Sequence, residues 1–156
     1  MGMPYQIRSA YREDWEEAMS LAWRTFLQFE ADDYSPEGVK NFENFITDTT
    51  LYRMFVMGAY QMFVALDGEK IVGMITLRDM THISLLFVDE KYHRQGIGRA
   101  LMQYLENYLL TELQATRVTV NASPYGVDFY HRLGFRDLHP EQRRDGIIYT
   151  PMEFVL

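Results

Sequence analysis

The chain contains no cysteine. That absence removes disulfides, thiolate metal sites and any cysteine nucleophile. No apolar run approaches the roughly eighteen residues that cross a bilayer, and no basic-then-apolar leader opens the sequence. Met1-Gly2 begins like an acylation signal, but Gln6 stands where Ser or Thr is required. The expected location is therefore the cytoplasm, with no membrane partner. Neither a Gly-x-Ser-x-Gly nucleophile elbow nor a His-Glu-x-x-His zinc pattern occurs, and the four histidines, His82, His93, His131 and His139, are scattered. Any covalent enzyme intermediate would have to form on Ser, Lys or His, and no metal is expected. The 15 Lys and Arg are outnumbered by 22 Asp and Glu and form no stripe that would follow a nucleic-acid backbone.

What remains is a chain of 156 residues, 47% apolar, long enough to bury a sizeable core as one domain over residues 1–156. Its most informative stretch is Tyr92-His93-Arg94-Gln95-Gly96-Ile97-Gly98-Arg99-Ala100-Leu101. The apolar, β-prone run Ile83-Ser84-Leu85-Leu86-Phe87-Val88 precedes it, ended by Asp89-Glu90-Lys91. After it, Ile97, Leu101, Tyr104, Leu105 and Tyr108 recur as one stripe of a helix. The glycines thus sit at a helix's first turn, where backbone N–H groups lack intrahelical partners and the macrodipole adds about half a positive charge. A phosphate fits there, with Arg94 and Arg99 at the rim. Arg99 opposes the dipole unless an anion is near. A dinucleotide fingerprint fails because Leu101 stands where a small residue is wanted, and a P-loop fails because Arg99-Ala100 replaces Lys-Ser/Thr.

A second segment, Asn121-Ala122-Ser123-Pro124-Tyr125-Gly126-Val127-Asp128-Phe129-Tyr130-His131-Arg132-Leu133-Gly134-Phe135, follows an expected strand at 116–120 and holds a short helix closed by Gly134. Upstream, Asp14 and Glu17 open a helix whose apolar face is Trp15, Ala18, Met19, Ala22, Phe26 and Phe29. Glu30-Ala31-Asp32-Asp33-Tyr34-Ser35-Pro36 breaks it, and a second helix from about Glu37 carries Val39, Phe42, Phe45 and Ile46. Runs 62–66 and 71–77 flank Asp67-Gly68, a hairpin signal. A last strand over 147–154 contains Pro151, which predicts an edge or a bulge. Strands and helices in this order argue for an α/β fold with a mixed sheet.

Taken together, the glycine loop and the Phe129-Tyr130-His131-Arg132-Leu133-Gly134-Phe135 segment resemble the GNAT superfamily of N-acetyltransferases, and the element order does so over essentially the whole chain. The resemblance implies a single GNAT-like domain, its mostly antiparallel sheet flanked by helices, that binds acetyl-CoA as cosubstrate. In that family the loop Gln/Arg-x-x-Gly-x-Gly/Ala grips the pyrophosphate, which carries over to His93, Arg94, Gln95, Gly96, Ile97, Gly98 and Arg99. His93 departs from the family's Gln or Arg; it either donates to a phosphate or is solvated. Backbone N–H groups near Phe87 or Val88 are implied to meet the reacting carbonyl. Asn121 and Ser123 either bond the pantetheine amides or shape the turn before Pro124.

The implied reaction moves an acetyl group directly to a primary amine in a ternary complex. Tyr130 is expected to face the thioester sulfur. A phenol near pKa ~10 giving its proton to a thiolate near ~8.5 works uphill by roughly 2 kcal/mol, so Tyr130 is better described as a hydrogen-bond donor than as a full acid. An alkyl amine near ~10.4 needs a base, for which His82 is the candidate, its alternative role being a polar strand end. Glu30, Asp32, Asp33 and Tyr34 shape the acceptor cleft by resemblance. With a net charge of -7, they either point to a cationic acceptor such as a small amine, amino acid or lysine side chain or form only a solvated loop. Tyr52, Phe55, Tyr60 and Phe63 either wall an apolar pocket or fill the core. The rival reading is a catalytically idle acetyl-CoA sensor or docking domain; the expected assembly is a monomer or homodimer.

Overall fold

The computed structural model describes residues 5–156, so Met1-Gly2 lies outside the described residues. Strand β1 (Gln6–Ser9) pairs antiparallel with β2 (Tyr60–Asp67), which turns into β3 (Lys70–Arg78). Asp67 pairs with Lys70, so the turn is made by Gly68, at φ +61, and Glu69, one residue later than the Asp67-Gly68 reading. Strand β4 (His82–Val88) follows antiparallel to β3, and β5 (Arg117–Ala122) lies parallel to β4. The short strands β6 (Arg136–Asp137) and β7 (Gln142–Arg144) both pair with β8 (Ile147–Val155), which lies against β5. The result is an eight-stranded, mostly antiparallel sheet in the order β1-β2-β3-β4-β5-β8-β6, with β7 also on β8.

Helices cover both faces. On one, α1 (Trp15–Phe29), α2 (Pro36–Ile46) and α3 (Thr49–Val56) close over Val64, Met74, Leu85 and Phe87. On the other, α4 (Ile97–Glu112) and α5 (Val127–Leu133) close over Phe63, Ile75, Leu77 and Ile83. The stripe of α4 is rotated from the expected one. Met102 and Leu109 are buried with Ile97, Leu101 and Leu105, while Tyr104 and Tyr108 lean on Phe63 at the rim.

Two features depart from the sequence reading. Helix α3 is an additional element, started by Asp48, whose side chain accepts from the Thr50 N–H at 2.8 Å. Its Phe55 packs on Trp15, and Tyr60 and Phe63 are buried, so these three serve the core, while Tyr52 touches Trp15 from an exposed position; none of the four lines the cleft described below. Pro151, expected at an edge or bulge, lies in an interior strand. The N and C=O of a strand residue point to the same side, and Pro151 O accepts from Leu138 N at 2.8 Å. Pro151 N therefore faces the stretch between the last β7 partner, Tyr149, and the first β6 partner, Met152, where no ladder bond is asked of it.

Candidate active site

Strand β4 carries the feature that opens the site. Leu77 pairs with Ile83 and Thr76 with Leu85, so Ser84 is the extra residue of a bulge. An extra residue reverses the alternation of faces, and Ile83 belongs to the core under α4 while Leu85 and Phe87 belong to the core under α1. The bulge is pinned from behind. Leu85 N donates to Thr76 Oγ1 at 3.0 Å, and the Tyr60 hydroxyl lies 2.8 Å from Thr76 Oγ1 and 3.0 Å from Ser84 Oγ.

Beyond the bulge β4 and β5 part company. Their ladder consists of His82 with Thr119 and Ile83 with Val120 only. Asp89 N donates back to Val72 O on β3, so counting back along the strand, the amides of Phe87 and Leu85 face β3 and those of Leu86 and Val88 face the gap. Of the two residues expected at the reacting carbonyl, Val88 thus aims its N–H into the opening, while Phe87 contributes wall. A cleft of about 1030 Å³ fills this gap.

At one end lies the glycine loop. Gly96 takes φ +79 as the residue before α4, and among the described residues no side chain caps that helix. With no acid in the first turn, the free N–H groups and the exposed Arg94 and Arg99 make the end strongly anion-seeking. Gly98 has a second reason to be glycine: a Cβ there would stand 3.2 Å from the Phe129 ring. His93 turns inward, its Nε2 donating to Val88 O at 2.8 Å and its ring 5.0 Å from that of Phe29. Gln95 turns away from the cleft and accepts from the Tyr5 hydroxyl.

The far wall comes from β5 and α5. Asn121, Ser123 and Tyr130 all line the cleft. Ser123 Oγ accepts from Gly126 N at 3.2 Å, starting the turn into α5 and leaving its own proton to give. Tyr130 is 6% exposed, yet its hydroxyl has no hydrogen-bond partner among the described residues. Burial, and then the charge of Glu30, push its phenol above the usual range, so it keeps its proton.

Glu30 terminates α1 and enters the cleft with Tyr34, while Asp32 and Asp33 stay exposed. Burial raises the Glu30 carboxyl to about 7; the Ser123 hydroxyl works the other way, and Asp33 adds to the rise. His82 also lines the cleft, with Nδ1 2.8 Å from Thr119 Oγ1. Burial, and then Arg78, depress it to about 4, against a smaller opposing effect of Asp79. The structure therefore brings together every expected site residue except the Gln95 side chain. It adds Glu30 as a titrating group, Leu86 as a second free amide and Phe29 as a roof stacked on Tyr125 at 5.1 Å. Glu30 was visible only as part of an acidic run, because its burial depends on the segment Ser123 to Tyr130 packing over the end of α1 from far along the chain.

A family model for the acetyltransferase (GNAT) domain matches residues 30–156. The chain belongs to the GNAT acetyltransferase family. It is 26% identical over 137 residues to YafP of Escherichia coli K12, described as an uncharacterized N-acetyltransferase, a match covering 88% of this chain and 85% of that protein. The GNAT fold is shared with a GCN5-related N-acetyltransferase structure from Rhodopseudomonas palustris, at a TM-score of 0.83 and 24% identity over 100% of this chain and 98% of that one. PaiA N-acetyltransferase from Thermoplasma acidophilum, in complex with coenzyme A, gives 0.80 and 19% over 100% of both chains. This GNAT chain is thus an acyltransferase, and no helix among its described residues is long and apolar enough to cross a membrane.

Proposed function

We propose that this protein transfers the acetyl group of acetyl-CoA directly to a primary amine. The observation that carries the reading is the Tyr130 phenol: buried, protonated and unpartnered on one wall of the cleft whose opposite wall presents the Leu86 and Val88 amides. The residues fit the cosubstrate. The uncapped start of α4 with Arg94 and Arg99 would hold the diphosphate, and the gap between β4 and β5, with Asn121 and Ser123 on its wall, would take the pantetheine. Bound acetyl-CoA supplies the activated thioester.

The chain's own groups do the rest. Val88 N–H lies where an oxygen gaining negative charge would be met by a fixed donor. Tyr130 donates a hydrogen bond to the departing sulfur and keeps its proton. Glu30, held near 7, takes a proton from the incoming ammonium; an imidazole held near 4, as His82 is, is too weak a base for that task. The test is release of free thiol from acetyl-CoA across an amine panel, with thermal stabilisation by coenzyme A measured beside it. Amine-dependent release is expected. Stabilisation without release by any amine identifies a sensor, and absence of both identifies a domain that does not bind the cosubstrate.

A further inference from the structure

The end of the cleft farthest from the glycine loop is built differently from the rest. Arg78, the last residue of β3, lies in register with His82, and its charge is felt by both His82 and the Tyr60 hydroxyl that touches the bulge. Arg144, the last residue of β7, reaches the same cleft from the opposite side. Both guanidinium groups are exposed and form no ion pair among the described residues, so their donors are free for a third group. The carboxylates nearest them in the chain are Asp79, whose charge His82 also feels, and Asp145, which lines the cleft; neither forms an ion pair among the described residues.

The backbone beside Arg144 is also held in place. The turn that follows it is latched onto the start of α2: Ser35 N donates to Gly146 O at 3.2 Å, and Asn41 Nδ2 donates to Asp145 O at 3.2 Å. Gly38 and Gly146 touch backbone to backbone, so closely that a Cβ on either would overlap the other residue. The hairpin is thereby a fixed roof over the acceptor end, with Phe42, Phe45 and Tyr149 as its apolar lining.

We propose that the acceptor is a free amino acid, whose carboxylate is held by Arg78 and Arg144 while its amine points inward to Glu30. A guanidinium offers a planar pair of donors that matches a carboxylate, and two of them, unpaired and facing one space, form a receptor for it. The anion orients the substrate, so its ammonium is delivered to the interior carboxylate and not to the rim. The roof favours a small molecule over a folded protein tail. This inference rests on the transfer to an amine proposed above.

The test separates the two. Each amino acid in a panel is offered as free acid, as carboxamide and as decarboxylated amine, and thiol release from acetyl-CoA is followed with the full chain. The expected result is kcat/KM at least about tenfold higher for the preferred acid than for its amide or amine. In Arg78→Gln and Arg144→Gln that advantage collapses through KM, and Arg→Lys recovers part of it. In parallel, calorimetry measures binding of the N-acetyl amino acid and its N-acetyl amide to the protein in the presence of coenzyme A. Tighter binding of the acid that is lost in both Gln variants supports the carboxylate site even without turnover, and in that event overturns the transferase reading alone. Thiol release with amides and amines used as well as acids, or equal losses toward all three in the variants, overturns the carboxylate site alone. No preference in either assay overturns it too.

Discussion

The Nε2 atom of His93 donates to the carbonyl oxygen of Val88 at 2.8 Å, folding the anion-seeking loop back onto the strand that leads into it. The same carbonyl side of β4 faces the cleft, so the bond ties the position of the loop amides to that of the Val88 amide. His93 is thereby a positioning residue for the loop. Replacing it by Ala removes the tie and leaves the Val88 carbonyl without its donor. His93→Ala is expected to raise the acetyl-CoA KM about tenfold, corresponding to a loss of roughly 1 to 1.5 kcal/mol, with a smaller effect on kcat. Steady-state kinetics at saturating acceptor check this; an unchanged acetyl-CoA KM refutes it.

Tyr130 gives a cleaner separation of stability from chemistry. Its ring packs edge-on against Phe129 and Phe135 at 5.3 and 5.1 Å, and that packing survives in Phe. Its hydroxyl has no partner among the described residues to lose. Tyr130→Phe should therefore keep the parent's Tm within about a degree and its affinity for coenzyme A, while kcat falls about 10²- to 10³-fold, the scale for one lost donor at a reacting atom. A parent-like kcat would take Tyr130 out of the reaction.

Much of this site could be read from local sequence, because its parts are local. The uncapped start of α4 follows from two glycines between an apolar strand and a helical stripe, and Gly134 closing α5, at φ +103, follows from its position. What escaped is what depends on pairing. The bulge at Ser84 exists only relative to β3, so nothing in the run 83–88 announces that Ile83 and Leu85 will face opposite cores. Pro151 signalled an edge because its missing N–H excludes a continuous ladder on that side; the break between β7 and β6 meets the same demand inside the sheet. Asp32 and Asp33 looked equivalent to Glu30 in the acidic run, and only the end of α1 docking on 123–130 distinguishes them. Arg78 and Arg144 lie 66 positions apart and come to line one cleft only through the placing of β7 on β8.

The bulge rests on Thr76. Its Oγ1 is the acceptor for the Leu85 N–H at 3.0 Å, and Thr76 is fully buried. Thr76→Val keeps the shape and deletes the acceptor, leaving a buried amide unsatisfied at a cost of about 1–3 kcal/mol. Relief of that cost by shifting β4 would narrow the gap, so acetyl-CoA turnover falls with stability. Thr76→Ser should recover both. Chemical denaturation and thiol-release kinetics read the two effects, and a Val variant with parent stability would show that the hydroxyl does not hold the bulge.

Glu30 makes both activity and stability depend on pH in a defined direction. Its folded-state value of about 7 lies above the ordinary carboxylate value of about 4.5. Between those two pH values the folded chain holds a proton that the unfolded chain releases, so the contribution of Glu30 to stability declines as pH rises from about 4.5 to about 7 and then stays level. Activity moves the other way, since the carboxylate form is the base, and kcat/KM should climb with pH to a plateau above about 7. Glu30→Gln removes both dependences together. Its Tm should exceed the parent's above pH 7 and approach it below pH 5, while kcat/KM falls at least about 10²-fold and loses the limb near 7. Parallel Tm and rate profiles of the two proteins decide the matter: a parent-like pH–rate limb in Glu30→Gln would assign that proton to another group, while a Tm difference independent of pH would place Glu30 in solvent rather than in the cleft.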